Sequence, residues 1–280
     1  MSVHFLIAGL FSLFILVAIL ALDVRLTVRQ YTLSVQTFDR PVRLVLLADH
    51  HSTRYGKRQA RLLREIDAIN PDAILIAGDM IDRWRAPEET LHLYNGLREY
   101  QTYYAIGNHE CDYVDLDAVK AQARSHGITV LGNETVIVSI AGGQLVISGI
   151  DDPECVKHDS VQHDHRAAVR KLTRRANACS GYRILIAHKP EYIKQYLGFD
   201  LVVSGHAHGG QVRIPGLVNG LFAPGQGLFP KWAGGVYQHG KTTHVVSRGL
   251  ARFFFLPRVF NRPELVVIEL MGENAKEVTT

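Results

Sequence analysis

The stretch Phe199-Asp200-Leu201-Val202-Val203-Ser204-Gly205-His206-Ala207-His208-Gly209-Gly210-Gln211 couples a short apolar run to a His-x-His pair on a loop loosened by glycine. Two imidazoles one residue apart, with glycine on either side, can turn toward one point, which is how proteins hold metal ions. Upstream, other apolar runs end in the same manner. Leu44-Val45-Leu46-Leu47-Ala48 runs into Asp49-His50-His51, and Ala73-Ile74-Leu75-Ile76-Ala77 into Gly78-Asp79-Met80-Ile81-Asp82. Thr102-Tyr103-Tyr104-Ala105-Ile106 runs into Gly107-Asn108-His109-Glu110, and Arg183-Ile184-Leu185-Ile186-Ala187 into His188. Continuous apolar strands separated by helical segments imply sheets covered on both faces, and in such folds ligands gather beyond the carboxyl ends of the strands. These strand ends are therefore expected to build one site. Asp and His together offer hard oxygen and borderline nitrogen ligands, a set that suits Mn, Fe, Zn or Co better than Ca or Mg.

Asp-x-His, Gly-Asp-x-x-Asp, Gly-Asn-His-Glu, a lone His and Gly-His-x-His, in this order from Asp49 to Gln211, resemble the motifs of calcineurin-like metallophosphoesterases. Gly209-Gly210-Gln211, Ala223-Pro224-Gly225 and Asn261-Arg262-Pro263-Glu264 are similar to a membrane-anchored bacterial branch of that superfamily. The resemblance implies an α/β (α+β) fold, a four-layer αββα sandwich of two packed mixed sheets flanked by helices. It also implies two divalent metal ions, with Mn favoured: Asp49, His51 and His208 on one, Asn108, His188 and His206 on the other, and Asp79 bridging both. His109 is then the catalytic acid or charge stabiliser at the leaving oxygen, oriented by Asp82. Alternation along an extended strand turns His50 away from Asp49 and His51, so it is expected to be a packed residue. Glu110 is expected to be a scaffold contact. Arg83 is a candidate for a substrate phosphate or for a structural pairing.

With 280 residues, 47% hydrophobic and 21% charged, the chain is of a size and composition for one globular domain behind a short N-terminal element. A formal charge of +4 is too mild to require nucleic acid but suits a phosphate-rich substrate or an anionic membrane surface. Phe5 to Leu22 carries no charge and is just long enough to span hydrocarbon, and no basic residue precedes it. This predicts an uncleaved single-pass inner-membrane anchor at 1–23, a juxtamembrane lead at 24–42, the catalytic domain at 43–272 and a polar tail at 273–280. Arg25, Arg29, Arg40 and Arg43 follow the span and place the domain on the cytoplasmic side by charge bias. The three cysteines, Cys111, Cys155 and Cys179, are odd in number and without CxxC spacing, and reduced thiols are expected.

Helical spacing is predicted over 57–69, ending at Asn70-Pro71, and over 88–99, 115–126 and 163–177. Short strands are predicted at 129–131, 135–140, 144–150, 235–238, 242–246 and 265–270. His158, His163 and His165 crowd with Asp159 and Asp164 in a segment expected to be a solvated loop. Aromatic, proline-broken stretches follow the last ligand: Leu221 to Pro224, Leu228 to Trp232 and Phe253 to Phe260. They suggest an apolar rim at the membrane interface, with Trp232, Lys231, Arg252 and Arg258 at headgroup depth and Trp232, Arg252 and Arg258 as substrate-binding candidates. The function expected is hydrolysis of a phosphodiester or pyrophosphate in a phosphate-containing, lipid-linked small molecule. By resemblance the sharpest candidate is UDP-2,3-diacylglucosamine. The alternatives are a general phosphodiesterase or phosphatase on soluble substrates and, more remotely, a catalytically dead protein-binding scaffold. The sequence carries no signal for oligomeric state.

Overall fold

The computed structural model describes residues 3–35, 38–113, 115–158, 164–253 and 255–272. Helix α1 (Val3–Ala21) is followed by strands β1 (Thr27–Val35) and β2 (Val42–Leu47). Helix α2 (Ala60–Ile69), strand β3 (Ala73–Ala77), helix α3 (Glu88–Gly96) and strand β4 (Thr102–Ala105) come next. Helix α4 (Leu116–Ser125) leads into β5 (Thr129–Val130), β6 (Glu134–Ile140) and β7 (Gly143–Ile150). Helix α5 (His165–Asn177) precedes β8 (Tyr182–Ala187) and β9 (Leu201–Ser204). The chain continues with β10 (Phe222–Ala223), β11 (Gly227–Leu228), β12 (Gly235–His239), β13 (Thr242–Val246) and β14 (Glu264–Gly272).

Two six-stranded mixed sheets result, ordered β1-β14-β2-β3-β4-β5 and β12-β13-β9-β8-β7-β6. Period-two alternation sets their layers. In β2, Leu44 and Leu46 enter the core between the sheets, where they meet Leu145, Ile147, Ile184, Ile186, Leu201 and Val203. Val45 and Leu47 enter the opposite cluster, with Leu62 and Ile66 of α2, Leu93 of α3 and Ala123 of α4. On the outer face of the second sheet, Val146, Leu185 and Val202 pack on Val169, Leu172 and Ala176 of α5. Strands buried on both faces explain why these runs are uniformly apolar.

The local signals behave as their chemistry requires. Helix α2 ends where Asn70 takes a left-handed φ of 49° ahead of Pro71. Asp115 caps α4 by accepting from Ala118 N at 2.8 Å. The stretch expected as a juxtamembrane lead contains β1, which pairs in parallel with β14 from Thr27↔Glu264 to Val35↔Gly272. The first sheet thus begins before residue 43.

Helix α1 has 19 residues with no charge in its sequence, and Phe5, Leu10, Phe11 and Phe14 are exposed. Among the described residues, no helix is long and apolar enough to cross a membrane.

Candidate metal centre

The motifs converge at the edge where the strands of both sheets terminate. One ligand atom from each of Asp49, His51, Asp79 and His208 lies within 4.8 Å of the others, and Asp79, His188 and His206 form a second such group sharing the same aspartate. Asn108 joins this second group through Oδ1, 3.1 Å from His188 Nε2. Glycines bring the backbone close: a Cβ on Gly107 would lie 2.3 Å from Asp79 Oδ1, and one on Gly249 would lie 2.4 Å from Asp49 Oδ2. Left-handed backbone holds Asp49 (φ 50°), His51 (φ 45°), Asp79 (φ 54°), His206 (φ 66°) and His208 (φ 46°). Each such non-glycine residue costs about 1–3 kcal/mol, and strain of this kind concentrates at functional sites.

Tautomers follow from the partners. His188 Nδ1 donates to Ala77 O at 2.7 Å, and its Nε2–H faces Asp79 Oδ2 at 3.1 Å, the nitrogen that would exchange its proton for a metal ion. His51 Nδ1 donates to Asp82 Oδ2 at 3.2 Å, leaving Nε2 as an acceptor 3.5 Å from Asp79 Oδ2. Asp49 Oδ2, His51 Nε2 and His208 Nδ1 are buried with no hydrogen-bond partner. Buried lone pairs of this kind are satisfied by a cation, and the carboxylate-imidazole-metal relay is the usual second layer of such a site. The donor set fits divalent metal.

The family model for calcineurin-like phosphoesterases matches residues 42–210, more than half of the chain, including every motif at this edge. The chain belongs to the calcineurin-like phosphoesterases. It is 26% identical to an uncharacterized metallophosphoesterase of Helicobacter pylori across 88% of this chain and 64% of that protein. It is 28% identical to a bovine transmembrane protein with a metallophosphoesterase domain, across 82% of this chain and 53% of that one. The chain thus spans under two thirds of these relatives. A putative 5'-nucleotidase from Staphylococcus aureus shares the fold, with a TM-score of 0.51 at 12% identity, over 85% of this chain and 57% of that one.

The phosphoesterase centre is strongly polarised. Burial lifts the Asp49 carboxyl to about 6, against the pull of His188 and with Asp79 adding to the rise. Burial acts on Asp79 in the same sense, but the imidazole of His188 outweighs it and holds this carboxyl well below the usual range. The counterpart is His188, raised to about 10 by Asp79 against the cost of burial. Burial, then the neighbouring His188, holds His206 well below the ordinary imidazole value, and burial with His51 does the same to His208.

Several expectations are met and several corrected. His50 is buried and bonds Thr90 Oγ1 at 3.0 Å, outside both metal groups. Glu110 is a scaffold: its oxygens accept from Asp79 N, Met80 N, Ile81 N and Gly107 N. Asp82, expected to orient His109, instead bonds His51 and caps Trp84 N and Arg85 N, because the turn after Asp79 directs its carboxylate at His51. His109 sits with Nε2 4.0 Å from Asp79 Oδ2 and its backbone N bonded to Asp79 Oδ1 at 2.9 Å. Arg83 points outward and stacks on exposed Trp84. Arg258 is only 3% exposed and donates to Ala251 O and Gly249 O, and it lines the same cavity as Arg252. Trp232 packs against the second sheet's outer cluster and against Ala207, Ala223 and Val246. His165 bonds Tyr196, a structural role. Asp159 and His163, together with the side chain of His158, lie outside the described residues.

Reduced thiols were expected, yet Cys111 and Cys155 are joined by a disulfide, with Cys179 free. The bridge ties the turn carrying Asn108 and His109 to the one following β7.

Two residues at the centre were not singled out. Arg85 donates to His51 O at 3.0 Å and Thr53 Oγ1 at 2.8 Å and stacks on Phe253. Phe253 in turn lies 5.4 Å from the His51 ring and 6.1 Å from the His208 ring. Nothing in the local pattern separates Arg85 from Arg83, and Phe253 was legible only as part of an aromatic run.

Proposed function

We propose that this chain is a binuclear metal-dependent phosphohydrolase acting on a phosphodiester or pyrophosphate of an amphiphilic, lipid-linked molecule at a membrane surface. One observation carries the amphiphile. A cavity of about 730 Å³ runs beside the metal groups, lined by Arg54, Arg85, Arg252 and Phe253 toward His51 and by Leu22 and Val24 at the end of α1. Its cationic wall suits phosphate and its apolar mouth opens beside the exposed, uncharged helix, in the order that an anchored amphiphile presents its parts. Helix α1 is the proposed anchor, in keeping with relatives named as transmembrane proteins.

In this reading Asp49, His51 and His208 hold one divalent ion, Asn108, His188 and His206 the other, and Asp79 both; Mn is the favoured metal. Two ions so held supply Lewis-acid polarisation of the phosphoryl oxygens and an acidified water. The protein residues do the rest. Asp82 fixes the His51 ring through Nδ1, and Ala77 O fixes the His188 ring, so both present Nε2 inward. His109, on the open side of Asp79, gives a proton to the departing oxygen. Arg85 and Arg252 orient the phosphate group, and the Phe253 ring over His51 and His208 keeps water from that side of the site.

The cysteine bridge bears on the membrane side. A disulfide persists in an oxidising compartment, so it favours the face opposite to the one that the arginines after α1 suggest.

The test is hydrolysis by the full chain in detergent with Mn added, comparing UDP-2,3-diacylglucosamine and a long-chain phosphatidyl diester with bis-p-nitrophenyl phosphate. Preferred turnover of either amphiphile, lost in His109→Ala, is the expected result. Equal or faster turnover of the soluble diester would keep the phosphohydrolase and discard the lipid-linked substrate.

A further inference from the structure

A second cavity, of about 490 Å³, is lined by Arg29 of β1, Arg248 just after β13, and Arg213 with Ile214, Leu217 and Phe260. No residue of it belongs to either metal group. Glu264, buried at 1% exposure, is the one carboxylate paired with these arginines among the described residues, and its charge is divided. Oε1 accepts from Arg248 N at 2.9 Å, while Oε2 lies 3.4 Å from Arg29 Nε and 3.3 Å from Arg248 Nε. Neither Nε makes a hydrogen bond, although both are buried. Among the described residues Arg213 hydrogen-bonds neutral groups, Gly209 O at 3.2 Å and the Asn219 side chain. Three guanidinium groups thus face one carboxylate, an excess of two positive charges in a recess. Half-buried cations normally find partners, and forks of N–H donors match a phosphate best.

The rim defines the setting. Ile214 and Val218 close a turn, Ile214 N to Val218 O at 3.0 Å, whose tip Leu217 is 83% exposed, with Ile214 46% exposed. Phe260, also in the lining, donates its N–H to Ala21 O at the last residue of α1. The recess therefore sits at the root of the apolar helix behind an exposed apolar tip.

We propose that Arg29, Arg213 and Arg248 form a second, non-catalytic phosphate-binding site, taking either an anionic lipid headgroup or a free phosphate. It stands on its own residues and does not depend on the substrate assigned to the metal centre.

The test is calorimetric titration of the metal-loaded full chain in zwitterionic detergent with inorganic phosphate and with short-chain phosphatidic acid. The wild type, Asp79→Asn, and Asp79→Asn combined separately with Arg213→Gln and Arg29→Gln are compared, each checked for folding by circular dichroism. Binding should survive Asp79→Asn and weaken about tenfold in each arginine variant. Arg213 and Arg29 lie on different elements, so misfolding of one variant leaves the other to decide. Tighter binding of the lipid assigns a membrane headgroup, and equal binding a soluble phosphate; either sustains the site. Loss of all binding in Asp79→Asn alone, or affinity unchanged in both arginine variants, overturns it.

Discussion

The two halves of the metal centre reach similar ligand sets by different means. Asp49, His51 and His208 all sit on left-handed backbone, and each carries a buried polar atom without a partner. Of Asn108, His188 and His206, only His206 has a positive φ, and the three lean on one another: His206 Nδ1 lies 3.2 Å and Asn108 Oδ1 3.1 Å from His188 Nε2. The first half is held open by the main chain, the second closed by side-chain contacts that an ion has to replace. Preorganisation by backbone leaves less reorganisation at binding, so the first half should fill first.

The comparison can be broken in order of effect. Asp79→Asn removes the carboxylate common to both halves and should lower kcat on the order of 10³-fold, read as initial rates with excess Mn; near-normal turnover would dissolve the binuclear assignment. His109→Ala should cost roughly 10²–10⁴-fold in kcat while leaving the metal content, measured by plasma emission, at two ions per chain. Asp82→Asn should weaken the first half alone, by about 10–100-fold in Mn affinity, and turn a two-step calorimetric titration into one in which the tight step is missing. Loss of the weak step instead would reverse the order of the halves. Arg85→Gln should raise KM for the amphiphile about tenfold, near 1.4 kcal/mol, with a smaller change for bis-p-nitrophenyl phosphate. Alkylation of the chain at lysis should find one free thiol, Cys179; three free thiols would return the domain to a reducing compartment.

Much of this centre is legible in the sequence because each ligand follows an apolar run, and a buried parallel strand puts whatever follows it at a common edge. Helical spacing of apolar residues marks α2 to α5, and short apolar runs mark most strands. What escaped it was set by contacts between distant residues. His50 is packed away as alternation predicts, yet for another reason: its neighbours Asp49 and His51 are left-handed, not extended. Asp82 serves His51 and not His109 because of how the turn after Asp79 is held by Glu110, 28 positions on from Asp82. Arg258 reads as a surface cation and becomes a buried clamp on loop carbonyls. The Cys111–Cys155 bridge closes a separation of 44 residues that spacing alone does not suggest.

Strand β14 lies between β1 and β2, parallel to the former and antiparallel to the latter. An interior strand of the first sheet, second from its edge, is therefore the last of its strands to be synthesised. Until residues 264–272 have left the ribosome, β1 has no neighbour in its sheet and β2 has one open edge, although the motif strands β2, β3 and β4 are already made. The two strands that flank β14 must wait, without sticking to each other or to another chain, for a partner more than 200 positions downstream, and such long-range closure is slow. A chain cut short before Glu264 would carry every candidate metal ligand and still leave Asp49 at the end of a strand with an unpaired edge.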